Sequence, residues 1–228
     1  MGIDERIDTF RRVFWIGGAT CAGKSTAADI LGERQGIQVY HSDRREPFHI
    51  HRSIPEEQPH LIRFMSKTMD ERWVNQSPQE MTEEVLACWA ERFPMVIDDL
   101  ARMVAEGPVI AEGVGLFPAL VAPFLSHPPN AIWLIPTPEF QRRVRDTRES
   151  TVADNPHISD RQRAYRNLLA RDALMATHLR DQATALGLPM IAVDAGNVAG
   201  VIGNLEPGVA RWLALEHPGP ADPPPGSR

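Results

Sequence analysis

Cysteine is scarce in this chain: 228 residues contain only Cys21 and Cys88. The two stand far apart, with neither metal-ligand spacing nor a disulfide framework, which fits a reducing compartment. No apolar run is long enough to cross a bilayer. The opening segment MGIDERIDTFRR carries charge and lacks the apolar core of a secretory signal. Cytoplasmic is therefore the expected location. A surplus of positive charge is missing too. The formal net charge is −6, which argues against a polyanion-binding surface, so neither nucleic acid nor membrane is an expected partner. There is no internal repeat. What remains is an ordinary globular balance, 43% hydrophobic and 24% charged, long enough for one α/β domain with a sizeable core.

Hydrophobic patterning places strands at 13–17, 38–41, 109–112, 131–135 and 190–193. It places helices at 24–32, 56–68, 78–91 and 138–148. Ser159 is the expected N-cap of a long helix to about Leu186, with Gly187 beyond its end. Pro94 is expected to end or restart the helix that Pro78 opens, with more helix to Glu106 before Gly107-Pro108 breaks the chain. Asp194-Ala195-Gly196 and a short helix to Leu215 follow the last strand. Strands alternating with helices predict a parallel sheet flanked by helices, a single α/β domain over 1–216. Segment 44–106 reads as a helical substrate-binding insertion, and the Pro/Gly-rich 217–228 as a disordered tail.

The most specific feature is GGATCAGKST. Gly18, Ala19, Thr20, Cys21, Ala22, Gly23, Lys24 and Ser25 fit G-x-x-x-x-G-K-[ST], after an expected strand and before an expected helix. The glycines let the backbone curl with its N–H groups inward, and the helix adds its positive end. This is a phosphate cradle running into Thr26. Lys24 would reach the β- and γ-phosphates, and Ser25 would offer its hydroxyl to Mg²⁺. Cys21 reads as a small spacer, because the cradle needs only backbone there.

A phosphate loop alone does not name a reaction. No Asn-Lys-x-Asp guanine motif is present, nor an apolar strand ending in Asp-Glu. Instead there is an acid after the second strand (YHSDRR), a strand ending in Glu-Gly (VIAEGVGL), and an arginine-rich helix after the next strand (EFQRRVRDTR). With the phosphate loop, these make the chain resemble the small-molecule P-loop kinases, the group of nucleoside, nucleoside-monophosphate, uridine, shikimate and gluconate kinases and antibiotic phosphotransferases. No single subfamily matches. The resemblance implies a P-loop NTPase fold, ATP and Mg²⁺ as cofactors, and γ-phosphoryl transfer to a small-molecule acceptor.

Asp43 and Glu112, at strand ends beside the loop, are expected in the crevice where α/β sheets bind ligands. The resemblance implies that Asp43 orients or deprotonates the acceptor hydroxyl; an N-cap or an ion pair with Arg44 or Arg45 also fits. Glu112 would hold the Mg²⁺ environment or the acceptor, or else end its strand in solvent. The resemblance further implies a lid over 138–171 that carries Arg143, Arg145 and Arg148 onto the transferring group, with a polar tip in 151–159. A solvated face laced with Asp146, Glu149 and Asp172 fits the same residues. Asn197 would lie beside the adenine, or cap the following helix. His41, His49, His51 and His60, interleaved with Arg44, Arg45, Arg52 and Arg63, lack metal spacing and read as an acceptor pocket or plain surface; Trp73 reads as pocket lining or packing. A nucleotide-dependent switch protein without turnover is the competing class. The acceptor (nucleoside, nucleotide, sugar acid or antibiotic) and the oligomeric state stay open.

Overall fold

The apolar runs pair into one sheet, and the polar segments between them wind into helices on its two faces. The computed structural model describes residues 3–147, 155–195 and 198–216. Helix α1 (Ile3–Phe10) precedes β1 (Val13–Gly18), α2 (Lys24–Gln35) and β2 (Gln38–His41). A 3-10 turn over Asp43–Arg45 leads to α3 (Glu46–Arg52), α4 (Pro59–Ser66), α5 (Met69–Trp73) and α6 (Pro78–Met103). Then come β3 (Val109–Glu112), α7 (Pro118–Val121), β4 (Ala131–Pro136), α8 (Pro138–Thr147), α9 (Arg161–Ala185), β5 (Met190–Val193) and α10 (Val198–Glu216). No described helix is long and apolar enough to cross a membrane.

The strands lie in the order β2-β3-β1-β4-β5, all parallel. Alternate side chains of β1 feed two cores. Val13 and Trp15 pack with Phe93, Val96 and Leu100 of α6 and Met175 and Leu179 of α9. Phe14 and Ile16 pack with Ala27, Ala28 and Leu31 of α2 and with Val201, Leu205 and Trp212 of α10. Period-two strands buried on both faces read as unbroken apolar runs, which is why β1 shows no alternation in sequence. From β1 the chain leaves toward β2, and from β3 it leaves toward β4. These neighbours therefore part in opposite directions and open a crevice at their carboxyl ends.

Several local expectations shift. Pro94 stands inside α6 and does not end it. The missing hydrogen bond and ring clash cost about 3 kcal/mol. Phe93, Met95, Val96 and Leu100 around it are buried, at about 1.5–3 kcal/mol each, so packing carries the helix through. The helix expected at 56–68 occupies Pro59–Ser66, with proline in its first turn. Glu91 of α6 accepts from the backbone N–H groups of His60 (3.0 Å) and Leu61 (2.9 Å), a cap supplied from another helix. The cap of α9 is Asp160, which accepts from Arg163 N, not Ser159. Ser159 N donates instead to Asp70 Oδ1 at 2.8 Å. Asn167 of α9 donates to the carbonyls of Trp73, Val74 and Gln76, so the segment after α5 is pinned to α9. Arg148, Asn197, the 148–154 part of the expected lid and the tail 217–228 lie outside the described residues.

Candidate functional site

The site begins where β1 ends. A Cβ on Gly18 would fall 2.1 Å from Leu134 O of the adjoining strand, so only glycine fits there. Gly23 (φ 80°) and Cys21 (φ 68°) both take the left-handed conformation that curls the loop back on itself. Few non-glycine residues do so, and Cys21 is also buried. Gln141 of α8 donates to Thr20 O at 3.1 Å, fixing the loop's outer wall. The Lys24 ammonium folds back over the loop and donates to Ala19 O at 2.8 Å. Helices α5 and α6 satisfy their first amides with Thr68–Glu71 and Ser77–Glu80 capping boxes. Helix α2 has no side-chain cap and no acid in its first turn. Its positive end is thereby left for an anion, with Ser25 and Thr26 exposed beside it.

Two carboxylates stand at the same edge. Glu112 is level with His41 across the β2–β3 pair and with Ile16 across the β3–β1 pair. It is 1% exposed. One oxygen, Oε1, meets His41 Nδ1 at 2.7 Å, and the far side of that ring, Nε2, meets Asp29 Oδ1 at 2.9 Å. The other oxygen, Oε2, is buried with no hydrogen-bond partner. An ionisable oxygen held that way costs stability unless something pairs with it.

Asp43 lies one turn past β2. A Cβ on Gly113 would be 3.3 Å from its Oδ1, and the Val114 N–H donates to it. Its side chain is open to solvent, yet protein surrounds it so closely that burial is the main influence on its carboxyl. Burial raises Asp43 above its ordinary 3.8; Glu112 adds like-charge repulsion, while Lys24 and Arg92 pull the other way. Lys24, Asp43 and Glu112 thus form one electrostatic group beside the phosphate loop.

Arg92 was not singled out from sequence. It is 1% exposed, donates to Ser42 O at 3.0 Å, pairs with Glu46 at 3.5 Å and stacks 4.0 Å over the Trp89 ring. Burial lowers its pKa, and burial raises that of Glu46. It holds the backbone immediately before Asp43 and adds positive potential there. A sequence signal existed: Arg92 shares one face of α6 with Cys88, Met95 and Asp99, and a charge on an apolar stripe needs a buried partner.

The α8 and α9 arginines divide. Arg143 is exposed, 5.7 Å from the Phe140 ring. Arg145 is largely buried and ion-paired to Asp172, whose other oxygen takes Arg171 at 2.6 Å. Arg145 Nε is buried without a partner. The Tyr165 phenol, raised to about 12 by burial and by its bond to Asp146, senses both Arg145 and Cys21, so this group adjoins the loop. A cavity of 210 Å³ beside the loop runs from Cys21 and Gly23 to Phe140, Val193 and Val201. Its walls are mostly apolar, and sequence reading missed it because its sides come from α2, α8, β5 and α10. Of the expected histidine-rich pocket, His49 turns inward onto Asp99 and His41 onto Glu112.

A parallel sheet with a phosphate loop between β1 and α2, flanked by helices, makes this an α/β P-loop NTPase fold. The chain is similar to small-molecule P-loop kinases among the solved structures. One is shikimate kinase from Acinetobacter baumannii in complex with shikimate, at 16% identity over 90% of this chain and 93% of that one, with a TM-score of 0.42. Another is deoxyadenosine kinase from M. mycoides with bound dATP, at 11% identity over 87% of this chain and 99% of that one, with a TM-score of 0.46. No protein-family model and no curated protein matches the chain.

Proposed function

We propose that this protein is an ATP-dependent phosphotransferase that moves the γ-phosphoryl group to a hydroxyl of a small-molecule acceptor. The observation that carries the reading is the grouping of Asp43 and Glu112 with Lys24 at the carboxyl edge of the sheet. An accessible carboxylate of raised pKa beside the phosphate loop is suited to take a proton from an acceptor, which supports turnover over a nucleotide switch.

The loop amides and Lys24 bind the phosphates, and the 210 Å³ apolar cavity takes the base. Asp43 accepts the acceptor's hydroxyl proton as the new O–P bond forms and the β,γ-bridging P–O bond breaks, releasing ADP. Its raised pKa suits that role, because a stronger base holds the proton better. Arg143, Arg145 and Arg148 are the lid guanidiniums assigned to the charge on the transferring group, within a lid of 138–171. Segment 44–106 supplies the acceptor side, with Arg92 positioning Asp43. The unpartnered Oε2 of Glu112 and the exposed Ser25 hydroxyl fit a Mg²⁺ site; the ion would neutralise phosphate charge there.

The test is ADP release from Mg·ATP across libraries of nucleosides, nucleotides, sugar acids and aminoglycoside-type acceptors. Acceptor-dependent ADP formation that is lost in Lys24→Ala and Asp43→Asn supports the reading. Tight ATP binding with no acceptor-dependent turnover in any class would assign the chain to nucleotide-dependent regulation.

A further inference from the structure

Strand β2 is an edge of the sheet, and a cavity of 380 Å³ runs along it. Arg44, Arg45, Asp99 and Arg102 line it together with Tyr40 and Met103. The carboxylate of Asp99, 4% exposed, is the hub. Arg45 Nε reaches it at 3.2 Å, Arg102 at 3.4 Å and Arg52 at 3.6 Å. Tyr40 Oη (3.2 Å) and His49 Nε2 (3.0 Å) also contact it. Burial lowers the His49 pKa, which keeps that ring neutral.

The charges do not balance. One carboxylate faces three guanidiniums, and a fourth, that of Arg44, lines the same cavity. Arg44 pairs at 3.6 Å with Asp29, which His41 also contacts. Asp99 therefore leaves about two of its three guanidinium charges unmatched, and two of the three, Arg45 and Arg102, line the cavity. Tyr40, His49 and one arginine would satisfy a buried carboxylate; the further guanidiniums add repulsion without adding a needed partner. Arg45 and Arg102 each use one nitrogen on Asp99, and their side chains stay 44% and 68% exposed. The rest of each planar fork remains for a ligand, in the geometry that suits phosphate and carboxylate. A chain of net charge −6 gains nothing in general solubility from such a concentration of like charge.

We infer that this cavity is a second anion site, distinct from the phosphate loop, for a small polyanion of the phosphorylated or polycarboxylate class. The volume lies in the range of small-molecule pockets, roughly 300–1,000 Å³. The site shares a backbone segment with the crevice. The Asp43–Arg45 turn carries Asp43 to one side and Arg44 and Arg45 to the other, and His41 both lines the cavity and contacts Glu112. An occupant would therefore bear on the segment that positions both crevice carboxylates.

Calorimetric titration decides it, using inorganic phosphate and citrate as probes, without Mg²⁺ and at constant ionic strength. The proteins are the full chain, Lys24→Ala, Arg45→Gln and Arg102→Gln. Saturable binding that survives Lys24→Ala and weakens about tenfold or more in Arg102→Gln is the expected result, since a charge-assisted hydrogen bond is lost. Stronger binding of phosphate or of citrate tells which anion class the site takes. Arg102 is exposed and is one of several partners of Asp99, so Arg102→Gln keeps the fold and decides the matter even if Arg45→Gln fails to fold. Binding that disappears in Lys24→Ala and persists in Arg102→Gln places the anion in the phosphate loop and overturns the inference. So does the absence of saturable binding by either probe.

Discussion

His41 Nδ1 lies 2.7 Å from Glu112 Oε1, and the opposite nitrogen of the same ring lies 2.9 Å from Asp29. The ring is thus held at both ends and locks one carboxylate oxygen while the other is left unpartnered. His41→Ala should raise the Mg²⁺ concentration for half-maximal turnover by about 10–100-fold, the range seen when a supporting hydrogen bond to a ligand is removed. His41→Asn, whose amide can donate from near the Nδ1 position, should recover much of that loss. If both variants shift stability alone and leave the Mg²⁺ requirement at the parent value, His41 does not position Glu112.

Lys24→Ala should abolish most ATP-dependent turnover and leave the fold intact. The ammonium donates to Ala19 O within the loop, a local contact that no other element of the fold depends on. Melting within a few degrees of the parent, together with turnover lowered by about 10²-fold or more, is the expected pair of readings. Parent-level turnover in the folded variant would remove the lysine from the phosphate site.

Asp43→Asn separates function from stability by pH. The folded pKa of Asp43 is raised above 3.8 by burial, so its ionised form is disfavoured in the folded state. Stability from the protonated form is present below the unfolded value and is lost as pH rises through the folded value. The asparagine variant, which keeps an acceptor for Val114 N–H, should therefore melt higher than the parent at neutral pH. The two melting curves should converge below pH 3.8, while turnover falls by about 10²–10⁴-fold at neutral pH. A variant less stable than the parent at neutral pH would contradict the burial-driven shift.

Arg143 and Arg145 should respond differently to alanine. Arg143 is exposed, and its loss should change stability by no more than about 0.5 kcal/mol. Arg145→Ala leaves the buried Asp172 with Arg171 alone and should cost about 1–3 kcal/mol. Either one, if it reaches the transferring group, should lower kcat by about 10³-fold or more. Saturating-ATP assays beside chemical denaturation distinguish the roles. If Arg145→Ala loses only stability and Arg143→Ala loses nothing, neither acts in transfer.

Much of this architecture was legible in the residues themselves. G-x-x-x-x-G-K-S between an apolar run and a helical one can be read locally, because the cradle is built from consecutive backbone. The three inner strands, β1, β3 and β4, were legible for the same reason: unbroken apolar runs are what a sheet buried on both faces requires, whereas the edge strands β2 and β5 are partly exposed. Helix boundaries moved wherever a distant residue made the cap. Glu91 settled the start of α4, and Asp70 drew Ser159 away from α9.

The chain alone marked the phosphate-loop motif and set Glu112 at the end of β3 and Asp43 just past β2. Only the tertiary structure decided what surrounds them. The strand order set β2 and β3 side by side, which brought His41 onto Glu112 and Gly113 against Asp43. Packing of α6 on the sheet carried Arg92 to Ser42 and Asp99 to Arg45, across separations of 50 and 54 residues. Sequence periodicity reports which face of an element is buried. It does not report what that face meets, because parallel neighbours are joined by crossovers and partnership depends on strand order.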